Sequence, residues 1–478
     1  MSEVDQFPLE LSEDQFRELV ARATDRIVAH VRSLAEQPSW NLEGAEAFAR
    51  SIMEQVPPDS GSDADGLLDF LFDEVIPVSL TTPGPGFMAY VPGGGLPHAA
   101  VADLIANSTN RYVGAWRPGP GIAQLEANVV RWFCHLIGFG ETSGGFLTSG
   151  GSLANFSAIV AARTKVLGDS FLDGRIYVSE EVHHSVTKAA RMAGFPVGSV
   201  QTVPTDSAFR MDVQRLVEAI EADHEQGLRP AIVVGSAGTV NSGAVDPLER
   251  IADVAERFGT WFHVDGAYGG FFMMTQRGRT TLSGIERADS VTLDPHKGMF
   301  LPYGTGALVV RDAAALYQAH SSPADYLPTL RHDPEFVDFC EISPELSRDF
   351  RGLRVWLPVK LHGMAAFRQA LDEKLDLTQW ATDELKKIKP VEIVAAPQLS
   401  TVAFRIVPAG VSGERLDALN RLLIERINSR KRIYITGTNL RGRYALRFCI
   451  LSFRTHKDRV AMGIEDVRHA VREVLDTT

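Results

Sequence analysis

The 478-residue chain has only three cysteines, Cys134, Cys340 and Cys449, an odd number spaced far apart and without a CxxC pair. That excludes a disulfide framework and offers no zinc-ligand spacing, so no metal site is expected and the thiols read as buried and inert. Positive charge is also short. The formal net charge is −12, and the densest basic cluster, Lys386, Lys387 and Lys389, is small and local. Polyanionic partners recruit clustered Lys and Arg, so neither nucleic acid nor an anionic membrane is expected as a partner. No apolar run approaches the roughly 20 residues of a membrane span. The opening MSEVDQFPLELSEDQF has neither a basic stretch nor an apolar core, from which a cytoplasmic location is expected. Internal repeats and low-complexity tracts are missing as well.

What remains is an ordinary globular composition, 45% hydrophobic and 23% charged. The length is too great for one simple core. Three parts are expected: a helical N-terminal segment over 1–80, a large α/β domain over 81–350 and a smaller α/β domain over 351–478. In the first part, Ser12 and Gln15 have capping-box spacing, and Phe16, Leu19, Val20, Ala23, Ile27 and Val31 recur on one helical face. That face has to pack on the main domain or on a second subunit.

Two loops rich in Pro and Gly follow. TTPGPGFMAYVPGGGLP holds Phe87 and Tyr90 on irregular backbone, and NSTNRYVGAWRPGPG carries Arg111, Tyr112, Trp116 and Arg117. Large aromatics on such loops suit a pocket wall or an interface. Next comes a short apolar strand ending at Leu147, a small-residue turn over 148–152 and a helix. A Gly/Ser turn that opens a helix presents unpaired N–H groups and the positive end of the helix dipole, which is an anion site. The same residues also make a plain tight turn.

From there short apolar strands alternate with amphipathic helices: RIYVS, a strand ending at Val203, AIVVG, WFHV and SVTL. This pattern predicts a mostly parallel sheet with helices on both faces, whose ligands sit at the carboxyl ends of the strands. The rule singles out His183 after RIYVS, the run 236–241 after AIVVG, Asp265 after WFHV and Lys297 after SVTL. Lys297 by itself could be ordinary surface charge. Together with Asp265 and an anion site, it supplies the three points that hold pyridoxal 5′-phosphate. The lysine forms the Schiff base, the acid faces the ring nitrogen and the helix end takes the phosphate. Burial and nearby positive charge are expected to lower the Lys297 pKa.

HVDGAYGG and DPHKG, in this order, resemble the pyridoxal-phosphate-dependent group II amino acid decarboxylases, the family of aromatic amino acid, histidine and glutamate decarboxylases. The resemblance runs from the AYVP loop to LRFCILSFRT. It implies the aspartate-aminotransferase-like fold (fold type I) and a homodimer with the active site at the subunit interface. It also implies an amine and carbon dioxide as products of an L-amino acid. Residue by residue, Lys297 matches the Schiff-base lysine, Asp265 the partner of the pyridine nitrogen and Ala267 the small residue under one ring face. His183 matches the imidazole stacked on the other face, with His184 as its rival. Gly151 and Ser152 match phosphate contacts, His296 supports the site, and Thr239 lies in a turn that approaches the cofactor. Tyr90, Pro92, Tyr112 and Trp116 match or lie near the substrate-pocket loops, which favours an aromatic or bulky substrate, while Arg111 and Arg117 suit an acidic one. Val91 and Gly93 stand where aromatic amino acid decarboxylases carry larger residues.

One position departs from the family. Counting back from SRDFRGLRVW, Phe339 falls where these decarboxylases carry a tyrosine, in a mobile loop, that protonates the substrate carbon after carbon dioxide leaves. Phe339 has no proton to give. In related plant enzymes this change goes with aldehyde formation through oxygen, so oxidative decarboxylation is an open alternative, as is supply of the proton by Tyr326 or water. The polar stretch 321–346, which holds Phe339, reads as a lid or a disordered segment. An aminotransferase or a non-catalytic cofactor-binding protein is less consistent with these residues.

Overall fold

The computed structural model describes residues 9–322 and 335–476. The N-terminal part holds α1 (Glu13–Ser33), α2 (Ala45–Ser51) and α3 (Ala64–Asp69). Ser12 and Gln15 form the reciprocal cap expected of their spacing, and α1 buries no residue at all. It is held to the segment after it by charge: Arg22 reaches Asp65 and Arg26 reaches Asp73, each at 2.5 Å. The apolar face read from the sequence is only partly covered within the chain: Val20, Ala23 and Val31 are half-buried, while Phe16 and Ile27 are 48% and 47% exposed.

After α4 (Pro97–Thr109) and α5 (Pro120–Ile137), strands and helices alternate. The order is β1 (Gly144–Thr148), α6 (Gly151–Leu167), β2 (Gly174–Ser179), α7 (His184–Met192), β3 (Val200–Val203), α8 (Val213–Glu225), β4 (Arg229–Ser236), α9 (Leu248–Phe258) and β5 (Trp261–Gly266). Then come α10 (Gln276–Thr281), β6 (Ser290–Leu293), α11 (Pro295–Gly298), β7 (Gly306–Val310), α12 (Ala314–His320) and α13 (Phe339–Ile342). The strands form one sheet in the order β1-β7-β6-β5-β4-β2-β3. Pairs from β3 through β6 are parallel, and β7 runs against both β6 and β1. This is fold type I, a mostly parallel sheet packed with helices. Strands β4 to β7 are almost wholly buried, as near-continuous apolar runs require.

The chain then crosses on the long α14 (Arg351–Lys386), kinked at Gly363, to a second sheet. This sheet is antiparallel throughout, in the order β10-β11-β9-β8, from β8 (Val391–Ala395), β9 (Thr401–Ile406), β10 (Thr436–Leu440) and β11 (Arg443–Cys449). It packs with α15 (Gly413–Asn428) and α16 (Lys457–Asp476). The apolar run at 433–435 stays outside the ladder of this sheet. Ile433 and Ile435 are buried, but the backbone at Tyr434 pairs with the Pro/Gly loop instead. Tyr434 N–H donates to Gly86 O at 2.9 Å and Met88 N–H to Tyr434 O at 3.0 Å, so the β10 ladder begins only at residue 436. No helix among the described residues is long and apolar enough to cross a membrane.

Candidate active site

The carboxyl ends of β2, β4, β5 and β6 open on one side of the large sheet, and the residues that leave them converge. Asp294 follows β6 as the N-cap of α11, Pro295 starts that single turn with the φ that a first helical position needs, and Lys297 is its third residue. Lys297 Nζ lies 2.9 Å from Asp294 Oδ2. The turn is braced from behind. A Cβ on Gly93 would stand 2.0 Å from His296 O, so the AYVPGG loop touches the backbone of the lysine turn and only glycine fits there. Larger residues at that position need a different backbone path.

One cavity of about 290 Å³ lies at this edge. Lys297, Asp265, Ala267, His183, Gly151, Ser152, His296 and Thr239 all line it. His184 does not; it faces solvent, and His183 takes the N-cap of α7 with its Nδ1 2.7 Å from Ser185 Oγ. On the far wall the Asp265 carboxylate is fixed at both oxygens, by Asn155 Nδ2 at 2.9 Å and by Ala267 N–H at 3.2 Å. Helix α6 starts two residues earlier than the turn expected over 148–152 would allow, and no side chain caps it. Its first N–H groups and its dipole therefore face the cavity beside Gly151 and Ser152. Thr239 Oγ1 and Ser242 Oγ are 2.7 Å apart on the neighbouring turn.

Charge in this pocket runs against one expectation. Burial works to lower the Lys297 pKa, but Asp294 beside it, and Asp265 further off, outweigh that effect, so the net shift is upward. The strand-end reading did not weigh Asp294, although it is the residue that directly follows SVTL. Burial holds His183 below the ordinary histidine range against the pull of Asp265. It does the same to His296, against Asp294.

None of Tyr90, Pro92, Tyr112, Trp116 or Phe339 lines the cavity. Tyr90 is 54% exposed with a positive φ, and its carbonyl accepts from Arg447. Pro92 is buried in the loop. Tyr112 hydroxyl donates to Leu346 O, and Trp116 stacks on Phe336 at 4.1 Å. Phe339 lies in a short helical turn. It opens α13 fully buried, with the Arg348 guanidinium 4.7 Å from its ring centre, and Arg348 is paired with buried Glu126 at 2.5 Å. Tyr326 lies outside the described residues.

A family model for the pyridoxal-dependent decarboxylase conserved domain matches residues 50–407, a span that carries every residue of the cavity. The chain belongs to the pyridoxal-dependent decarboxylases. It is 33% identical over 468 residues to an aromatic-L-amino-acid decarboxylase of Bacillus atrophaeus, covering 98% of this chain and 97% of that one. Identity to tryptophan decarboxylase 1 of Oryza sativa is 28% over 492 residues, covering 98% and 95%. A crystal structure of Oryza sativa TDC with PLP and tryptamine superposes with a TM-score of 0.92 at 28% identity, covering 97% of this chain and 99% of that one. The enzyme is thus a pyridoxal-phosphate-dependent carboxy-lyase acting on an amino acid.

The cavity of this decarboxylase fits that cofactor on its own terms. Two buried polar atoms in it, Asp294 Oδ1 and His296 Nδ1, have no protein partner. The uncapped α6 start offers donors to a phosphate, and a Cβ on Gly151 would crowd Asp294 Oδ2 at 3.0 Å and Ala267 Cβ at 3.1 Å, filling the cradle. Sequence reasoning missed Asn155, Ser185 and Tyr268, which also line the cavity. Asn155 carried a signal, an amide in the small and apolar run ANFSAIVAA.

Proposed function

We propose that this decarboxylase converts a bulky or aromatic L-amino acid to its amine and carbon dioxide, with Lys297 as the covalent anchor of the cofactor. The observation that carries this reading is the convergence of Lys297, Asp265, His183 and the α6 start on one cavity. When bound, the cofactor supplies an electron sink for the pair left behind by carbon dioxide. Asp265 keeps the pyridine nitrogen protonated, Ala267 and His183 enclose the ring from its two faces, and Gly151 and Ser152 take the phosphate, with His296 and Thr239 beside them. The aromatic class is supported by the relatives above, whose names specify aromatic substrates.

The proton that completes an amine needs a source other than Phe339, which has no hydroxyl and is fully buried. His183 offers one. Ser185 N–H points at its Nδ1, which must therefore accept, so the ring carries its proton on Nε2. As Nε2 gives that proton to the substrate carbon, Nδ1 takes one from Ser185 Oγ–H, 2.7 Å away, and the ring stays neutral. If His183 does not deliver that proton, reaction with oxygen yields the aldehyde, the second reading. A screen over the proteinogenic L-amino acids, measuring amine, aldehyde and peroxide together, decides between them. Stoichiometric amine from an aromatic substrate without peroxide supports the proposal; peroxide matching the carbon dioxide released would replace it with the aldehyde reading.

A homodimer is part of the same reading. Val101, Leu104 and Ile105 of α4 stand 53%, 46% and 45% exposed, with Leu361 of α14 at 57%. Apolar groups at that spacing suit a second copy of the chain, and sedimentation at the mass of one chain would refute it. Three free thiols are consistent with a reducing compartment such as the cytoplasm.

A further inference from the structure

Asn155 sits in the second turn of α6 with no exposure, although an amide is costly to bury without partners. Its Nδ2 lies 2.9 Å from Asp265 Oδ2 and 3.0 Å from Ser185 Oγ. Its Oδ1 lies 2.7 Å from Thr292 Oγ1 and 3.0 Å from His263 Nε2. The orientation of the amide follows from chemistry, because an ionised carboxylate only accepts and so the NH₂ must face Asp265. An oxygen on the other side can only accept, which puts the His263 proton on Nε2. His263 Nδ1 is then an acceptor, 2.8 Å from Ser290 Oγ, and Ser290 Oγ in turn receives Trp261 Nε1–H at 2.8 Å.

The donors thus run in one direction, from Trp261 through Ser290, His263 and Asn155 to Asp265. Thr292 adds its hydroxyl on the same amide oxygen. The second amide hydrogen of Asn155 takes the other branch, to Ser185 Oγ, whose own proton goes to His183 Nδ1 at 2.7 Å.

We propose that Asn155 is a positioning residue of the decarboxylase, a fork whose two amide hydrogens hold the Asp265 carboxylate and, through Ser185, the His183 ring. The strand residues Trp261, His263, Ser290 and Thr292 fix which way the fork points. By this arrangement each Asp265 oxygen keeps one internal donor and a free lone pair for the pyridine nitrogen, and the His183 proton stays on the nitrogen remote from Ser185. The inference rests on Asp265 facing that nitrogen.

The test measures the dissociation constant of pyridoxal 5′-phosphate on the full chain, freed of cofactor, between pH 6 and 8.5. Asn155→Leu keeps the volume and removes both donors. It should weaken binding about tenfold or more, since hydrogen bonds to charged groups are the strong ones. Asn155→Asp sets a second carboxyl 2.9 Å from Asp265, so the pair shares a proton at low pH and repels at high pH. The ratio of its dissociation constant to that of the wild type should therefore rise about tenfold between pH 6 and 8.5. The other titratable groups facing Asp265 are His183 of α7, His263 of β5, and Asp294 and Lys297 after β6; they are common to both proteins and cancel in the ratio.

A flat ratio for Asn155→Asp would overturn the inference, as would wild-type binding by Asn155→Leu. If the leucine variant does not fold, the near-isosteric aspartate variant still decides. Asp265→Asn, measured alongside, separates the two levels. Unchanged binding there removes the role given to Asp265, whereas impaired binding by Asp265→Asn with a wild-type Asn155→Leu removes only the fork.

Discussion

Replacing Asp294 with Asn removes one charge beside the Lys297 amine and keeps the side-chain shape. Asp294 is 2% exposed and its Oδ2 is 2.9 Å from Lys297 Nζ, so solvent screens the pair little. Two unit charges at that separation attract by roughly 6 kcal/mol, gross, at an effective dielectric constant of about 20. Part of this offsets the burial of the ammonium, which by itself favours the neutral amine. Without Asp294 the burial effect prevails, and the neutral fraction at pH 7 should grow at least about tenfold, the lower end of what a close opposite charge does. Only the neutral amine attacks the cofactor aldehyde. Stopped-flow absorbance on the cofactor-free chain should show attachment at pH 7 faster by the same factor in Asp294→Asn, with its pH profile moved to lower pH. An unchanged rate and profile would mean that Asp294 does not control the protonation of Lys297.

Three further changes probe the frame of the site. Gly93→Ala forces its methyl onto His296 O; it should cost about 3 kcal/mol or more and reduce bound cofactor per chain, read by absorbance and urea unfolding. Arg348→Met leaves Glu126 buried without its partner and should cost about 3–5 kcal/mol in urea, most of it recovered in the double variant with Glu126→Leu. His263 is held neutral by burial, its pKa lowered from 6.5 to about 4. Its contribution to stability is thus present above pH 6.5 and is lost as pH falls toward 4, by roughly 3 kcal/mol in all. His263→Gln should flatten that acid limb in denaturant titrations; an equally steep limb would assign it to other groups.

Parallel strands were legible because their exits converge by topology, so one rule brought Lys297, Asp265 and His183 together from the sequence alone. The capping box of Ser12 and Gln15 was also readable from local chemistry. What was not readable depended on distant partners. Aromatics on irregular backbone serve pockets and packing alike, and only the fold shows that Trp116 stacks on Phe336 while the 335–342 segment docks on the 112–116 loop. Asp294 was hidden by its neighbour: the lysine drew the chemical reading, and the charge that sets its protonation stood three residues earlier. Asn155 is the same case in a helix, where an isolated amide passes for a solvent position until β5 and β6 are seen behind it.

The central claim is that Lys297 carries the cofactor covalently. Borohydride reduction of the holoenzyme freezes the lysine–cofactor bond, and peptide mass mapping then locates it. The account predicts a pyridoxyl adduct on the peptide containing DPHKG, at Lys297, and its disappearance together with the visible absorbance in Lys297→Ala. An adduct on any other lysine, or visible absorbance that survives the substitution, would contradict it.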